Sequence, residues 1–294
     1  MQKEKLNTVP PSFQEVTGPI DVTLRNDMLF HRVMELSNST LKGLICSLKG
    51  LNPDDVKEVT VLNPIDYSAS VGKEIILDVK VLMNSNELLD IELQLYHFKE
   101  WEKRSLLYMC RTFDSIGTAE NYSQLKPTTF IAIMDDPLFP EYPEFYSHYQ
   151  FLNNKTHQPY STLLGINVLY LKQINNATKE DKANGLVYWA RLFQATTWED
   201  LKKIVKEKPE FEEVAKIMYN SNLIQSQEKT LYEAHQKFIG YQNDLYESGY
   251  ADGLEKTKAE DQKEIDDLTS QNEALVSEIA QLKEKLAKAG IPVE

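Results

Sequence analysis

Read along the chain, the apolar positions change period several times. From Asp27 to Leu51 the residues Met28, Leu29, Val33, Leu36, Leu41, Leu44, Ile45 and Leu48 recur at mostly helical intervals, with breaks around Ser37–Thr40. That spacing predicts one or two helices. Three short runs rich in Val and Ile follow, Glu58–Leu62, Glu74–Met83 and Leu88–Leu95, and these predict strands. Between the last two lies Asn84-Ser-Asn-Glu87, a cluster of turn formers that makes them an antiparallel hairpin. Phe98 to about Glu120 predicts an amphipathic helix, apolar through Trp101, Leu106, Leu107, Met109, Cys110 and Phe113. Thr128–Met134 reads as a buried strand ended by Asp135-Asp136-Pro137. An aromatic and proline-rich stretch covers 138–160, and Gly165–Leu171 is a further strand. The rest is helical in pattern, near 181–195, 198–206 and 209–220, with a polar run over 226–260. Helix, three strands, helix, strand is the order of a mixed α/β core.

The C-terminal segment has the clearest periodicity. Ile265, Asn272, Ile279 and Leu286 are spaced by sevens, and Leu268, Leu275 and Leu282 form a second series displaced by three. Isoleucine with one asparagine in the first series and leucine throughout the second favours a parallel two-stranded coiled coil, so a homodimer is expected. A helix folding back on its own domain is the alternative. We divide the chain into a leader over 1–20, a core over 21–175, a helical region over 176–243 and an extended helix over 244–294 with heptads at about 261–289.

Composition narrows the setting. The chain has 294 residues, 41% hydrophobic and 26% charged, a globular mixture long enough to bury a core without staples. Two cysteines, Cys46 and Cys110, fit a reducing compartment, and both fall on apolar helical patterns that suggest core packing. The five histidines show no metal-ligand spacing. No run reaches the roughly 18 apolar residues of a membrane span. The N-terminus has no apolar signal core, so a cytoplasmic protein is expected. The 45 acids exceed the 32 bases by 13, which speaks against a strong nucleic-acid binder. Divided by region the objection weakens: residues 244–294 carry 13 acids and 6 bases, more than half of the excess.

The hairpin carries the chemistry. Side chains alternate along a strand, so Asp78 and Lys80 share one face, and Asp90, Glu92 and Gln94 share the face of the partner strand. A turn centred near Ser85 and Asn86 sets Asp78 within a residue of Glu92. Two carboxylates that close repel one another and call for a cation or a shared proton. Hard oxygen donors suit Mg²⁺, which needs only one or two carboxylates beside water and phosphate. Metal-assisted phosphodiester hydrolysis follows from such a pair. The spacing by itself leaves open the plainer reading, a solvated face of an antiparallel sheet.

The run Lys73-Glu-Ile-Ile-Leu-Asp78, with Ile91-Glu-Leu-Gln94 fourteen residues later, resembles the D-(X)n-E-X-Q signature of the Rpn-type recombination-promoting nucleases, also described as PD-(D/E)XK nuclease family transposases. Arg25-Asn-Asp27 with Met28-Leu-Phe30 is similar to the family's opening T-N-D-x-x-F, with Arg25 in place of threonine and His31 where lysine is common. Arg104 and Tyr108, Tyr122-Ser-Gln-Leu-Lys-Pro127 and Tyr246-Glu-Ser-Gly-Tyr-Ala-Asp-Gly253 extend the likeness. It implies a restriction-endonuclease-like mixed sheet flanked by helices, Mg²⁺ or Mn²⁺ as cofactor and DNA as partner. Asp78 and Glu92 would be the metal ligands. Gln94 would stand where most such nucleases have lysine, orienting the attacking water or touching the scissile phosphate. Lys80 or Lys73 would then supply the positive charge that glutamine lacks. Asp27 would be a further acid of the site, or simply a helix N-cap. Arg104 would approach a backbone phosphate, or pair with Glu100 on the helix surface. A nuclease-like scaffold that no longer cleaves and works through its heptad helix is the alternative function.

Overall fold

The computed structural model describes residues 12–62, 79–83, 86–95, 100–114 and 121–223, with short helical pieces at 257–258, 262–263 and 265–271 and at Leu275. The chain divides into two compact units, Met1–Gln236 and Lys237–Glu294.

The first unit opens with two helices where the sequence left one or two. Helix α1 spans Asp27–Leu36 and α2 spans Asn38–Lys49. Ser37 separates them: its extended backbone (φ −126°) ends α1, and its Oγ accepts from the Thr40 backbone N–H to start α2. Gly50 closes α2 in the left-handed region (φ 63°), with the Asn184 side chain 3.2 Å from where a Cβ would stand. Conformation and space both favour glycine there.

Six strands among the described residues form one mixed sheet: β1 (Val59–Val61), β2 (Val79–Met83), β3 (Leu88–Gln94), β4 (Thr128–Met134), β5 (Tyr146–Tyr149) and β6 (Leu164–Tyr170), in the order β1-β2-β3-β4-β6-β5. The predicted hairpin is present, with β2 antiparallel to β3 and Lys80 opposite Asp90. Parallel pairs β3–β4 and β4–β6 form the centre, and β5 is an antiparallel edge. All seven residues of β4 are buried, as expected of a parallel strand covered on both faces. Strand β5 lies inside the aromatic stretch that had no element assigned to it.

The two faces of the sheet differ. One packs on α1, α2 and the helices α4 (Leu186–Gln194), α5 (Trp198–Glu207) and α6 (Glu212–Leu223), in a core that includes Phe30, Leu89, Ile91, Leu93, Leu169 and Phe193. Full burial of one such side chain contributes on the order of 1.5–3 kcal/mol. The segment before α1 belongs to the same core: Phe13, Ile20, Val22 and Leu24 are buried, and Ile20 N–H donates to Thr196 O. The other face is covered by one helix, α3 (Trp101–Phe113), over a small cluster of Trp101, Met109, Phe130, Ala132, Met134, Val168 and Tyr170.

Helix α3 turns differently from its predicted orientation. Its buried stripe is Trp101, Ser105, Met109 and Thr112, while Leu106, Leu107 and Cys110 are exposed. The reason lies beneath it: the strand face it covers carries Asp90 and Glu92, so polar side chains of α3 turn inward to meet them. Cys110 is therefore not a core residue, whereas Cys46 is buried as expected. No helix among the described residues is long and apolar enough to cross a membrane. In the second unit, Ile265, Leu268 and Leu275 sit on helical backbone and are each more than half exposed. Asn272, Ile279, Leu282 and Leu286 lie outside the described residues.

Candidate active site

The candidate site gathers at the carboxyl ends of the parallel strands, the usual place for a binding crevice in an open α/β sheet. Glu92 and Gln94 are the last residues of β3 on the α3 face. Their ladder partners on β4 are Ala132 and Met134. Glu92 is 6% exposed and Asp90, one pleat earlier, is fully buried. These acids are therefore not the wet side of a sheet, and the solvated-face reading falls.

Burial obliges both acids to find partners, and α3 supplies them. Thr112 Oγ1 donates to Asp90 Oδ2 at 2.7 Å, and Arg104 Nη2 lies 2.7 Å from Glu92 Oε1. Arg104 thus faces Glu92, and the exposed carboxylate of Glu100 pairs with Lys103. Arg104 and Thr112 are eight positions apart, so they lie along one side of the helix above two acids on one stripe of the strand. The spacing is a signal in the sequence, but it becomes readable only once α3 is known to lie on β3.

Asp27 enters from the opposite layer. It is the first residue of α1, and the N-cap is its neighbour Asn26, whose Oδ1 accepts from Leu29 N–H at 3.0 Å. The capping role expected as an alternative for Asp27 belongs to Asn26. Burial pushes the Asp27 carboxyl up to about 7, and the charge of Glu92 pushes the same way. A hydrogen bond from its own backbone N–H and the positive charge of Arg104 act against the rise. Asp27, Glu92 and Arg104 therefore sense one another electrostatically.

A fork that the sequence did not suggest holds this approach. Arg25 donates to both carboxylate oxygens of Asp135, at 2.8 and 2.5 Å, and Asp135 directly follows β4. The fork ties the start of α1 to the carboxyl end of the central strand. His31, one turn beyond Asp27, is fully buried with its ring 3.6 Å from the Glu35 carboxylate. Lys80 is half-buried on the Asp90 side of the hairpin. Asp78 and Lys73 lie outside the described residues, so the pairing of Asp78 with Glu92 is not among the observed contacts.

Among the described residues, no three His, Cys, Asp or Glu side chains converge as a ready metal cage. The donors that do gather suit a hard divalent ion nonetheless: Glu92 is a buried carboxylate, Gln94 adds an amide oxygen on the same strand face, and Asp27 stands close enough to feel the Glu92 charge. Mg²⁺ takes one or two carboxylates and keeps several waters. The residues fit the ion.

Over residues 24–248 the sequence matches the family of PD-(D/E)XK nuclease family transposases. No curated protein and no solved structure matches it significantly.

Proposed function

Because the chain belongs to the PD-(D/E)XK nuclease family transposases, we propose that it is a metal-dependent DNA endonuclease acting in recombination or on mobile DNA. Family membership suggests phosphodiester hydrolysis. The observation that carries the reading is the burial of Glu92 under α3 at the carboxyl end of β3, in electrostatic contact with Asp27. A buried acid cluster with a strongly perturbed carboxyl is a recurrent mark of catalysis.

The roles follow from position and chemistry. Asp78 and Glu92 would hold the ion; Asp78 directly precedes Val79, whose ladder partner Ile91 directly precedes Glu92. A bound Mg²⁺ or Mn²⁺ would lower the pKa of a water and offset charge developing on the phosphate. The Gln94 amide oxygen accepts a hydrogen bond from the attacking water and so orients it. Asp27, near neutrality in its pKa, takes a proton from that water at its carboxylate. As the water oxygen bonds to phosphorus, the ester bond to the departing oxygen breaks. Lys80 and Lys73 contribute the positive charge that Gln94 cannot; Lys73 would also meet the DNA backbone, and Arg104 would do so on leaving Glu92. With few cationic side chains to meet the phosphates, binding to DNA is weak, and what there is falls with salt.

Supercoiled plasmid tests this directly. With Mg²⁺ or Mn²⁺ the wild-type protein nicks or linearises it, and Asp78→Ala leaves it intact. Plasmid untouched by wild type in both metals would instead favour the non-cleaving scaffold.

We propose further that the protein is a parallel dimer through its C-terminal heptads, supported by Ile265, Leu268 and Leu275, which stand more than half exposed on helical backbone. Truncation after about residue 255 halves the mass measured by light scattering. An unchanged mass rejects the coil as the dimer interface.

A further inference from the structure

The face of α3 that turns inward brings a guanidinium to a buried acid. The Glu92 side chain is 8% exposed and that of Arg104 33%, and they meet at 2.7 Å. Such a charge-assisted bond is short and strong where solvent is scarce. The Arg104 guanidinium carbon also lies 5.1 Å from the centre of the Tyr108 ring, one turn along the same helix. The helix cannot carry the guanidinium away: Thr112 holds Asp90 near one end, while Trp101 and Met109 sit in the small core.

We propose that Arg104 competes with the divalent cation for Glu92 and so sets how tightly the site takes its metal. The inference rests on the metal-dependent reading above. Metal–oxygen bonds are about 2.0–2.6 Å, so an ion on the oxygen that Arg104 holds comes within about 5 Å of the guanidinium. Two positive groups at that separation in a buried site repel strongly. Either the guanidinium leaves Glu92, with the Tyr108 ring beside it as a second resting place, or the ion binds against its charge. Both routes weaken the metal. Arg104 is then a positioning residue whose removal strengthens metal binding, whereas a simple strut for Glu92 would weaken it when lost. The sign of the effect separates the two roles.

Ca²⁺ titrated calorimetrically into the full-length protein at pH 8 and low salt supplies the test, with melting temperatures recorded in EDTA and in Ca²⁺. Arg104→Gln is expected to bind Ca²⁺ about 10-fold tighter than wild type, equivalent to about 1.4 kcal/mol of relieved charge repulsion. Arg104→Lys should fall between them. Arg104→Gln melts lower than wild type in EDTA and gains more from Ca²⁺. In a Glu92→Gln background the advantage of Arg104→Gln disappears. Equal or weaker Ca²⁺ binding by Arg104→Gln overturns the competition while leaving the metal reading standing. No binding by any variant overturns both. Should Arg104→Gln not fold in EDTA, Arg104→Met, which keeps an apolar stem and removes the charge, carries the same comparison, and affinity no higher than wild type rejects the proposal.

Discussion

Glu92→Gln should abolish cleavage. The substitution keeps the shape of the side chain and an oxygen for Arg104 but removes the charge that a divalent ion requires. Loss of a metal's charge stabilisation is worth several kcal/mol, about 10³-fold in rate or more. The same change removes the charge that Arg104 meets at 2.7 Å, so the melting temperature falls as well. Activity must therefore be compared well below that temperature, with circular dichroism showing the fold intact. Plasmid nicking by Glu92→Gln at the wild-type rate would remove Glu92 from the chemistry.

Asp27→Asn should stabilise the protein, and more so as pH rises. The folded structure raises the Asp27 carboxyl to about 7 from an ordinary 3.8, chiefly by burial. A proton is thus held more firmly in the folded state than in the unfolded one. Below the ordinary value both states are protonated and burial of the charge costs nothing. Between 3.8 and 7 the unfolded chain gives up its proton first, and the fold loses stability as pH climbs. Above 7 the full penalty is present, up to about 4 kcal/mol at about 1.4 kcal/mol per unit. Asparagine removes the ionisation. Thermal melts in EDTA should show Asp27→Asn well above wild type at pH 8 and close to it at pH 4. A difference independent of pH would show that the carboxyl does not titrate as its surroundings require. The variant should also lose activity, since the strain that destabilises the fold is what poises the acid.

Much of this architecture was legible in the sequence because it follows from one assumption, that apolar residues point inward. Strand β4 occupies Thr128–Met134, the segment its composition predicted, and the β2–β3 hairpin and the helices near 198 and 212 were equally readable. The assumption fails at α3. There the strand beneath presents Asp90 and Glu92, so Thr112 is buried against Asp90 and Arg104 meets Glu92, while Leu106 and Leu107 are exposed. The orientation of Arg104 could not be known without the strand face below it. Asn26 and Asp27 are both good capping residues, and only backbone geometry tells which caps and which is left facing Glu92. Strand β5 was hidden for another reason: four residues, Tyr146–Tyr149, carry too little alternation to stand out among neighbouring prolines and aromatics.

The anchoring of the segment before α1 has a consequence for how the protein is made. Asp27 follows a stretch fixed by late parts of the chain: Ile20 N–H bonds to Thr196 O, and Val22 exchanges hydrogen bonds with the Asn222 side chain. The Arg25 fork needs Asp135 as well. A chain still on the ribosome, with Asp27, Glu92 and Arg104 already emerged but residue 222 not yet synthesised, lacks the partners that set Asp27 in place. Contacts of such long sequence separation form late in folding. Assembly order alone therefore delays completion of the Asp27, Glu92 and Arg104 cluster until synthesis of the body is nearly finished.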